Sequence, residues 1–425
     1  MDWSPEQKSR LFYQTRQRRP LLDRAEGVYL WDVDGKRYLD AASGAMVSNL
    51  GHSNPRVLDA MRKQMERATF GYRLHFENEP AERLASVISS LSPPGHEKVF
   101  FVSGGSEAVE SCLKLARQYK VASGKPEKWK IISRSPSYHG STLGALAVTS
   151  YRPLTEPFAP MLRDMPKIPS PRCYLDRDEL NDEERGLRYA ELLRQKIIDE
   201  GPETVLAFIM EPVGGASTGA LVAPDSYYRR TREICDEFGV LMIYDEVMSC
   251  AGRTGRFLSA EHWSIEPDII ALAKGFGAGY APLGAMLAHD DIVNAVLDDG
   301  GFQHGHTYAG NPLACAAGLA VIQEILENDL MAHTERVGAL LKAKLVQLMH
   351  HYPFIGDVRG KGLLLAFEIV ADRASMEPLP PEWMVYHKLV EYAYERGLII
   401  YSRRCRDGVA GDHFMVCPPM IISEG

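Results

Sequence analysis

The sequence predicts an α/β protein: a large domain on a mostly parallel sheet covered by helices, and a smaller α+β domain assembled from the N- and C-terminal segments. Three observations predict it. Short apolar runs alternate with helical spacing through residues 71–305, the pattern of βα units whose strands are buried on both faces. Before residue 70, an Asp34-Gly35 pair separates two aromatic, β-rich runs, a hairpin signal. From about residue 306 a helical stretch leads into a second, separate apolar strand pattern. A chain of 425 residues has room for one large and one smaller domain.

Taken in order, residues 1–70 begin with MDWSPEQKSRLFYQTRQRRP, which lacks the apolar core of a signal peptide. This stretch is expected as a surface helix or a subunit-contact arm. The β-rich runs at 28–32 and 37–40 flank the Asp-Gly turn. Within 71–305, the runs at 98–102, 130–133, 205–210, 240–244 and 268–271 read as buried strands, most of them bounded by polar or Gly/Pro residues. In 306–425 helices come first, and 360–368 then reads as a strand.

Composition narrows the function. A net charge of −8 disfavours nucleic acid or an anionic membrane as partner. No apolar run reaches the ~18 residues of a membrane span. Seven cysteines with no C-x-x-C pair argue against a disulfide framework and against a zinc site. Reduced thiols in the cytoplasm are the expectation, with no metal.

In open α/β sheets ligands sit beyond the carboxyl ends of the strands, so the residues following each strand carry the chemistry. Ser103-Gly104-Gly105-Ser106 runs into a helix, where small residues and free N–H groups suit an anion. A plain capped turn is the bland alternative. The turn lacks the Gly-Lys-Ser/Thr ending of a Walker loop and the spacing of a dinucleotide fingerprint. Tyr138, in Ser137-Tyr138-His139-Gly140, is able to stack on a flat ring, although a tyrosine there is more often packing. Asp245 follows an apolar strand, where a buried carboxylate needs a partner; a protonated pyridine nitrogen is one, a capping role another. Lys274 ends the apolar run Ile269-Ile270-Ala271-Leu272-Ala273, where desolvation makes an amine nucleophilic; the alternative is a snorkelling surface lysine. Four separate bland explanations for four features in order, each at a strand end, are improbable together.

With these residues in place, the sequence resembles the class III, or ω-aminotransferase, family of fold-type-I pyridoxal-phosphate enzymes. The resemblance is carried by Glu211-Pro212-Val213, Tyr244-Asp245-Glu246-Val247, Gly252-Arg253-Thr254-Gly255 and Ala273-Lys274-Gly275. It extends through Leu50-Gly51-His52-Ser53-Asn54-Pro55, Gly305-His306-Thr307-Tyr308 and Val358-Arg359-Gly360-Lys361-Gly362-Leu363, nearly the whole chain. It implies that Lys274 forms a Schiff base with pyridoxal phosphate and then shuttles a proton. Asp245 pairs with the pyridine nitrogen, while Val247 and Tyr138 cover the two ring faces. Gly105 and Ser106 hold the phosphate. His139 and Glu211 join the cofactor contacts, and Glu211 orients a mobile arginine. Thr307 reaches the phosphate of the neighbouring subunit, which implies a homodimer. Gly252–Gly255 are structural, with Arg253 buried and paired. The implied reaction is ping-pong transfer of an amino group from an amine or ω-amino acid to an oxo acid.

The chain departs from the family pattern in three places. Met248 stands where many members have a polar residue near the ring hydroxyl. Ala45 and Met46 stand where members often have an aromatic pocket wall, which implies a roomier site and makes Met46 a substrate contact. Arg403, Arg404 and Arg406 compete for the role of gripping a substrate carboxylate, with Arg404 favoured. Two rivals remain: an aminomutase or racemase on the same scaffold, and a non-catalytic homologue. Tyr308 after Thr307 disfavours the aminomutase, and retention of both Lys274 and Asp245 disfavours a dead site.

Overall fold

In the computed structural model of the chain, which describes residues 9–425, three sheets form where their apolar faces can be covered. The N-terminal sheet begins with β1 (Leu22–Glu26), β2 (Tyr29–Asp32) and β3 (Arg37–Asp40). The Asp-Gly hairpin joins β2 to β3. Asp32 accepts from the backbone amides of Asp34 and Lys36 at 3.1 and 2.9 Å, and Gly35 takes the left-handed φ of 79° that the turn requires. The parallel pairing of Leu398–Ile399 with β3 brings the two ends of the chain together.

The large sheet contains β4 (Lys98–Val102), β5 (Lys130–Ser135), β6 (Lys167–Pro169), β7 (Val205–Met210), β8 (Leu241–Asp245), β9 (Ile269–Leu272) and β10 (Gly284–Ala288), in the order β4-β10-β9-β8-β7-β5-β6. It is parallel except for β10, which runs antiparallel to both neighbours. Every residue of β7, β8 and β9 is buried, so these strands need no polar alternation. Successive residues feed two cores. Phe208, Met242 and Ile270 pack among the side chains of helices Asp182–Glu200 and Asp225–Phe238. Ile209, Ile243 and Ala271 pack beneath helix Gly105–Ala122. All five strands expected in this region form. The pattern missed β6, which is three residues ending in Pro169, and β10, whose Gly-Ala-Met-Leu-Ala lacks β-branched residues.

The C-terminal sheet is antiparallel, with Ile355–Lys361, Leu364–Asp372, Ala410–Val416 and Tyr401–Arg406 in that order. The single strand expected over 360–368 is a hairpin instead. Gly362 turns the chain with φ 55°, and its α-carbon lies against the Thr254 backbone, so the strand proper starts only at Leu364. Helix Pro312–Glu327, expected in the smaller domain, packs on helices Pro55–Arg67 and Glu79–Ser90 and shares the large core through Cys315, Leu319 and Ile322. Of the N-terminal stretch expected as a surface helix or contact arm, residues 1–8 lie outside the described residues and 9–20 form no helix. Among the described residues no helix is long and apolar enough to cross a membrane.

One packing contact tests this arrangement. A Cβ added to Gly338, within helix Leu330–His351, would lie 2.2 Å from the carbonyl oxygen of Gly362. Alanine in place of glycine ordinarily stabilises a helix by about 1 kcal/mol. Here Gly338→Ala is expected to destabilise the fold by about 1–3 kcal/mol, because the obstacle is backbone. Denaturant unfolding reads the sign; unchanged or higher stability would mean the hairpin gives way freely.

Candidate active site

The site grows from the carboxyl ends of five strands. Ser103–Ser106 follows β4, Tyr138 and His139 follow β5, Glu211 follows β7, Asp245 closes β8, and Lys274 comes two residues after β9. All converge on one cavity of about 410 Å³, which Gly105, Ser106, Tyr138, His139, Glu211, Asp245, Val247 and Lys274 line together.

At one end lies the start of helix Gly105–Ala122. Gly104 stands at its N-cap with no side-chain cap, so the N–H groups of the first turn stay open and the helix dipole favours an anion. A Cβ on Gly105 would lie 2.7 Å from Val247 Cγ1, so only glycine lets Val247 pack there. Ser106 Oγ accepts from the Ser141 amide at 3.0 Å and keeps its own hydrogen to donate. Glu107 accepts from the Ser103 amide at 2.8 Å and so steadies the turn.

At the other end, the Asp245 carboxylate is almost wholly buried. It accepts from the Val247 amide at 3.1 Å and from His139 Nδ1 at 2.8 Å. Because a carboxylate only accepts, the Nδ1 proton belongs to the imidazole. His139 therefore sits behind Asp245 and orients it. Glu211 accepts from the Gly215 amide at 2.9 Å, and burial holds its carboxyl above the usual range. Tyr138 is half-buried, with its phenol also pushed up by burial.

Lys274 adopts the left-handed φ of 51°, an uncommon backbone state for a residue with a Cβ. Burial draws its ammonium below the ordinary value, partly opposed by the charges of Asp245 and Glu211. A desolvated amine of this kind is a competent nucleophile toward a carbonyl. An open helix start for a phosphate, a braced carboxylate for a pyridinium, an amine for an aldehyde, and Val247 with Tyr138 for ring faces together fit pyridoxal phosphate.

Two expected contacts, Met46 and Arg404, lie elsewhere, while Thr307 is expected to act in a partner's site and not in this chain's own cavity. Thr307 is exposed and outside the cavity. Met46 is fully buried beneath the wall, packed with Met415 and Met248, and it is Val47 that faces the cavity. The structure does not bring Arg404 to the site: its guanidinium pairs with Asp412 at 2.9 Å, bonds the Pro381 carbonyl and stacks on Tyr386. Arg406 is likewise spent, on Glu368 and the Met376 carbonyl. Arg403 points the other way, stacked on Tyr401 at 4.9 Å, with its charge felt by Tyr138 and Tyr151. Strand alternation was the available signal: residues 401 and 403 share a face, and Tyr401 packs with Met46 and Met248. The His139–Asp245 pairing had no comparable sequence signal.

Residues 13–424 match the family described as Aminotransferase class-III. An uncharacterized aminotransferase, YodT of Bacillus subtilis, is 39% identical over 408 residues, covering 96% of this chain and 92% of that protein. A thermostable (S)-enantioselective omega-transaminase from Thermomicrobium roseum superposes with a TM-score of 0.91 at 37% identity, over 98% of this chain and 92% of that one. The omega transaminase of Pseudomonas jessenii in complex with PMP gives 0.90 at 32% identity, over 98% and 92%.

The buried amine has a thermodynamic consequence. Because the folded-state pKa of Lys274 lies below 10.5, the unfolded chain binds the extra proton between those two values, and stability rises with pH across that window. In cofactor-free protein, Lys274→Met is expected to unfold at a higher temperature than the parent at pH 7, with the gap closing as the pH nears 10.5. Identical melting curves for the two proteins at pH 7 would show that burying this amine costs nothing.

Proposed function

The chain belongs to the class-III aminotransferases and is a pyridoxal-phosphate-dependent transaminase, and from that premise we propose which of its residues perform the transfer and on what class of substrate. The observation that carries the assignment is the meeting of Lys274, Asp245 and the uncapped helix start in one cavity, on adjacent strands β8 and β9 and the turn after β4.

Bound pyridoxal phosphate supplies a protonated ring that makes the C–H beside the substrate nitrogen acidic. Gly105 and Ser106 hold the phosphate with backbone and hydroxyl donors. Asp245, braced by His139, keeps a proton on the ring nitrogen. Val247 and Tyr138 confine the ring. Lys274 would hold the cofactor through its aldehyde carbon and, as a free amine, would carry the proton at the substrate carbon. Glu211 lies within the electrostatic reach of His139 and Lys274, and its role is to orient a mobile arginine.

The donor is an amine or ω-amino acid and the acceptor an oxo acid, in two half-reactions. Val47 and Met248 give the donor side soft, apolar walls. Arg403 replaces Arg404 as the group that grips a carboxylate, since Arg404 is held by Asp412. The active unit is a homodimer in which Thr307 reaches the partner's phosphate. Phe70, Leu74, Phe76 and Tyr308, all exposed and with Phe70 against Tyr308, support that interface. All seven cysteines are free, which supports a cytoplasmic location.

Absorbance spectra test the assignment. The parent loaded with pyridoxal phosphate is expected to show a band that bleaches when one of a panel of amines is added without oxo acid. Lys274→Ala should show neither the parent band nor the bleaching. No band in the parent even after soaking would overturn the reading, and turnover without any oxo acid would favour the aminomutase. Arg403→Ala is expected to raise KM for a carboxylate-bearing donor by roughly tenfold or more, from loss of a charge-assisted pair, and to leave donors without a carboxylate unchanged. An equal effect on both kinds of donor would remove Arg403 from the substrate site.

A further inference from the structure

Behind the Lys274 turn lies a guanidinium with unusual partners. Arg253 is completely buried and forms no ion pair among the described residues; burial lowers its pKa to about 10. Neutral oxygens take all its donors. Nε and Nη2 donate to Asn49 Oδ1 at 3.1 and 2.5 Å, and Nη2 also donates to Ser43 Oγ at 3.1 Å. Nη1 donates to the carbonyls of Cys417 and Pro418 at 3.4 and 2.5 Å. The Arg253 carbonyl accepts from the Leu363 amide at 3.1 Å. One residue thus ties the N-terminal segment, the C-terminal sheet and the tail to the large core. Burying a charge without a directly paired counter-charge is costly, although the Asp40 carboxylate acts on it from a distance, and the planar fork with its fixed donor directions is what Arg offers in return.

The fork's main acceptor is Asn49. Its Nδ2 donates to the Ala251 carbonyl at 3.0 Å, and its own carbonyl accepts from the Met420 amide at 2.8 Å. The Asn49 amide lies where a Cβ on Gly275 would fall, 2.2 Å from Nδ2. The residue before Gly275 is Lys274, in its left-handed conformation. Such a conformation persists only where the surroundings over-determine it.

We propose that Arg253 is a positioning residue for the cofactor-bearing amine: through Asn49 it presses on the Gly275 peptide and holds the turn that aims Lys274 into the cavity. The inference rests on Lys274 being that amine. It goes beyond a clasp that merely holds the segments together, which would support every part of the cavity alike.

The two forms of the cofactor separate these roles. Both use the phosphate and ring pocket, but only the aldehyde form condenses with the Lys274 amine, the nitrogen bonding to the aldehyde carbon with loss of one water. The ratio of their equilibrium affinities for cofactor-free protein therefore reports the aim of Lys274 and needs no turnover. Arg253→Lys keeps the charge and loses the fork; Asn49→Ala keeps Arg253 and removes the contact on Gly275. Both are expected to weaken pyridoxal phosphate by about tenfold or more, the scale of a small misplacement of a reacting group, while pyridoxamine phosphate binds as in the parent. Equal weakening of both forms, or none, in either folded variant overturns the proposal. Asn49→Ala decides alone if Arg253→Lys does not fold. Lys274→Ala separates the two readings: if its affinity ratio equals that of the parent, Lys274 is not the amine, whereas a ratio lost in Lys274→Ala and kept in both variants overturns only the role of Arg253.

Discussion

A carboxylate at the end of a strand buried along its whole length is the constraint around which the rest is arranged. Leu241–Asp245 has no exposed residue, so the Asp245 charge is largely withdrawn from bulk solvent and needs partners. The fold supplies the Val247 amide and the His139 ring instead. That pairing sets where β5 must end relative to β8, although the strands are separated in the sheet by β7. The bracing is complete on the protein side only. His139 is spent on Asp245 through one nitrogen, and among the described residues no lysine or arginine forms an ion pair with the carboxylate, although Lys274 in the same cavity feels its charge. A protonated ring nitrogen is the partner of matching charge and direction.

The same logic runs through the other ionisable groups. Lys274 loses part of its attraction for a proton because it is surrounded by apolar strand ends, while Asp245 and Glu211 limit that loss. Glu211 shifts the opposite way for the same reason, burial, which for an acid favours the neutral form. An amine and a carboxyl both moved toward neutrality within one cavity are suited to moving protons between neighbouring atoms. At the end proposed for the phosphate, no lysine or arginine among the described residues lines the cavity apart from Lys274, and the helix start has no side-chain cap. On the proposed assignment, the charge of a phosphate would be met by backbone dipoles.

These features were unequally legible in the sequence. Strand ends with apolar runs of four to six residues mark their own positions, so Gly105, Asp245 and Lys274 could be singled out as candidates there, while their roles came from their combination and the family resemblance. The arginine at the substrate end could not be separated from its neighbours by residue type. Arg403 and Arg404 are adjacent and chemically identical, and the difference lies in which strand face Asp412 occupies, a pairing created by β-sheet register. Met46 failed differently. The segment around it holds Ser43, Gly44 and Met46 in left-handed conformations, so an alternating or helical pattern predicts the wrong neighbour for the cavity, and Val47 takes the place. The hairpin read as one strand over 360–368 has a similar cause: apolar composition continues across Gly362, but backbone packing against Thr254 does not allow the strand to.

The division follows the way each half of the site is built. Cofactor groups stand on strand ends of one sheet, where position along the chain nearly determines position in space. The proposed substrate groups come from the 43–47 loop, the Met248 turn and the Tyr401–Arg406 strand, three segments brought together by long-range contacts. Arg253 joins the 43–49 segment and the chain after Val416 to the sheet, through Ser43, Asn49 and Cys417. A change of donor specificity can therefore be made in loops and faces without touching the strand ends. On the role proposed for Arg253, a change in the clasp reaches both halves at once, because the fork holds Ser43 beside the 43–47 loop as well as Asn49 beside Gly275.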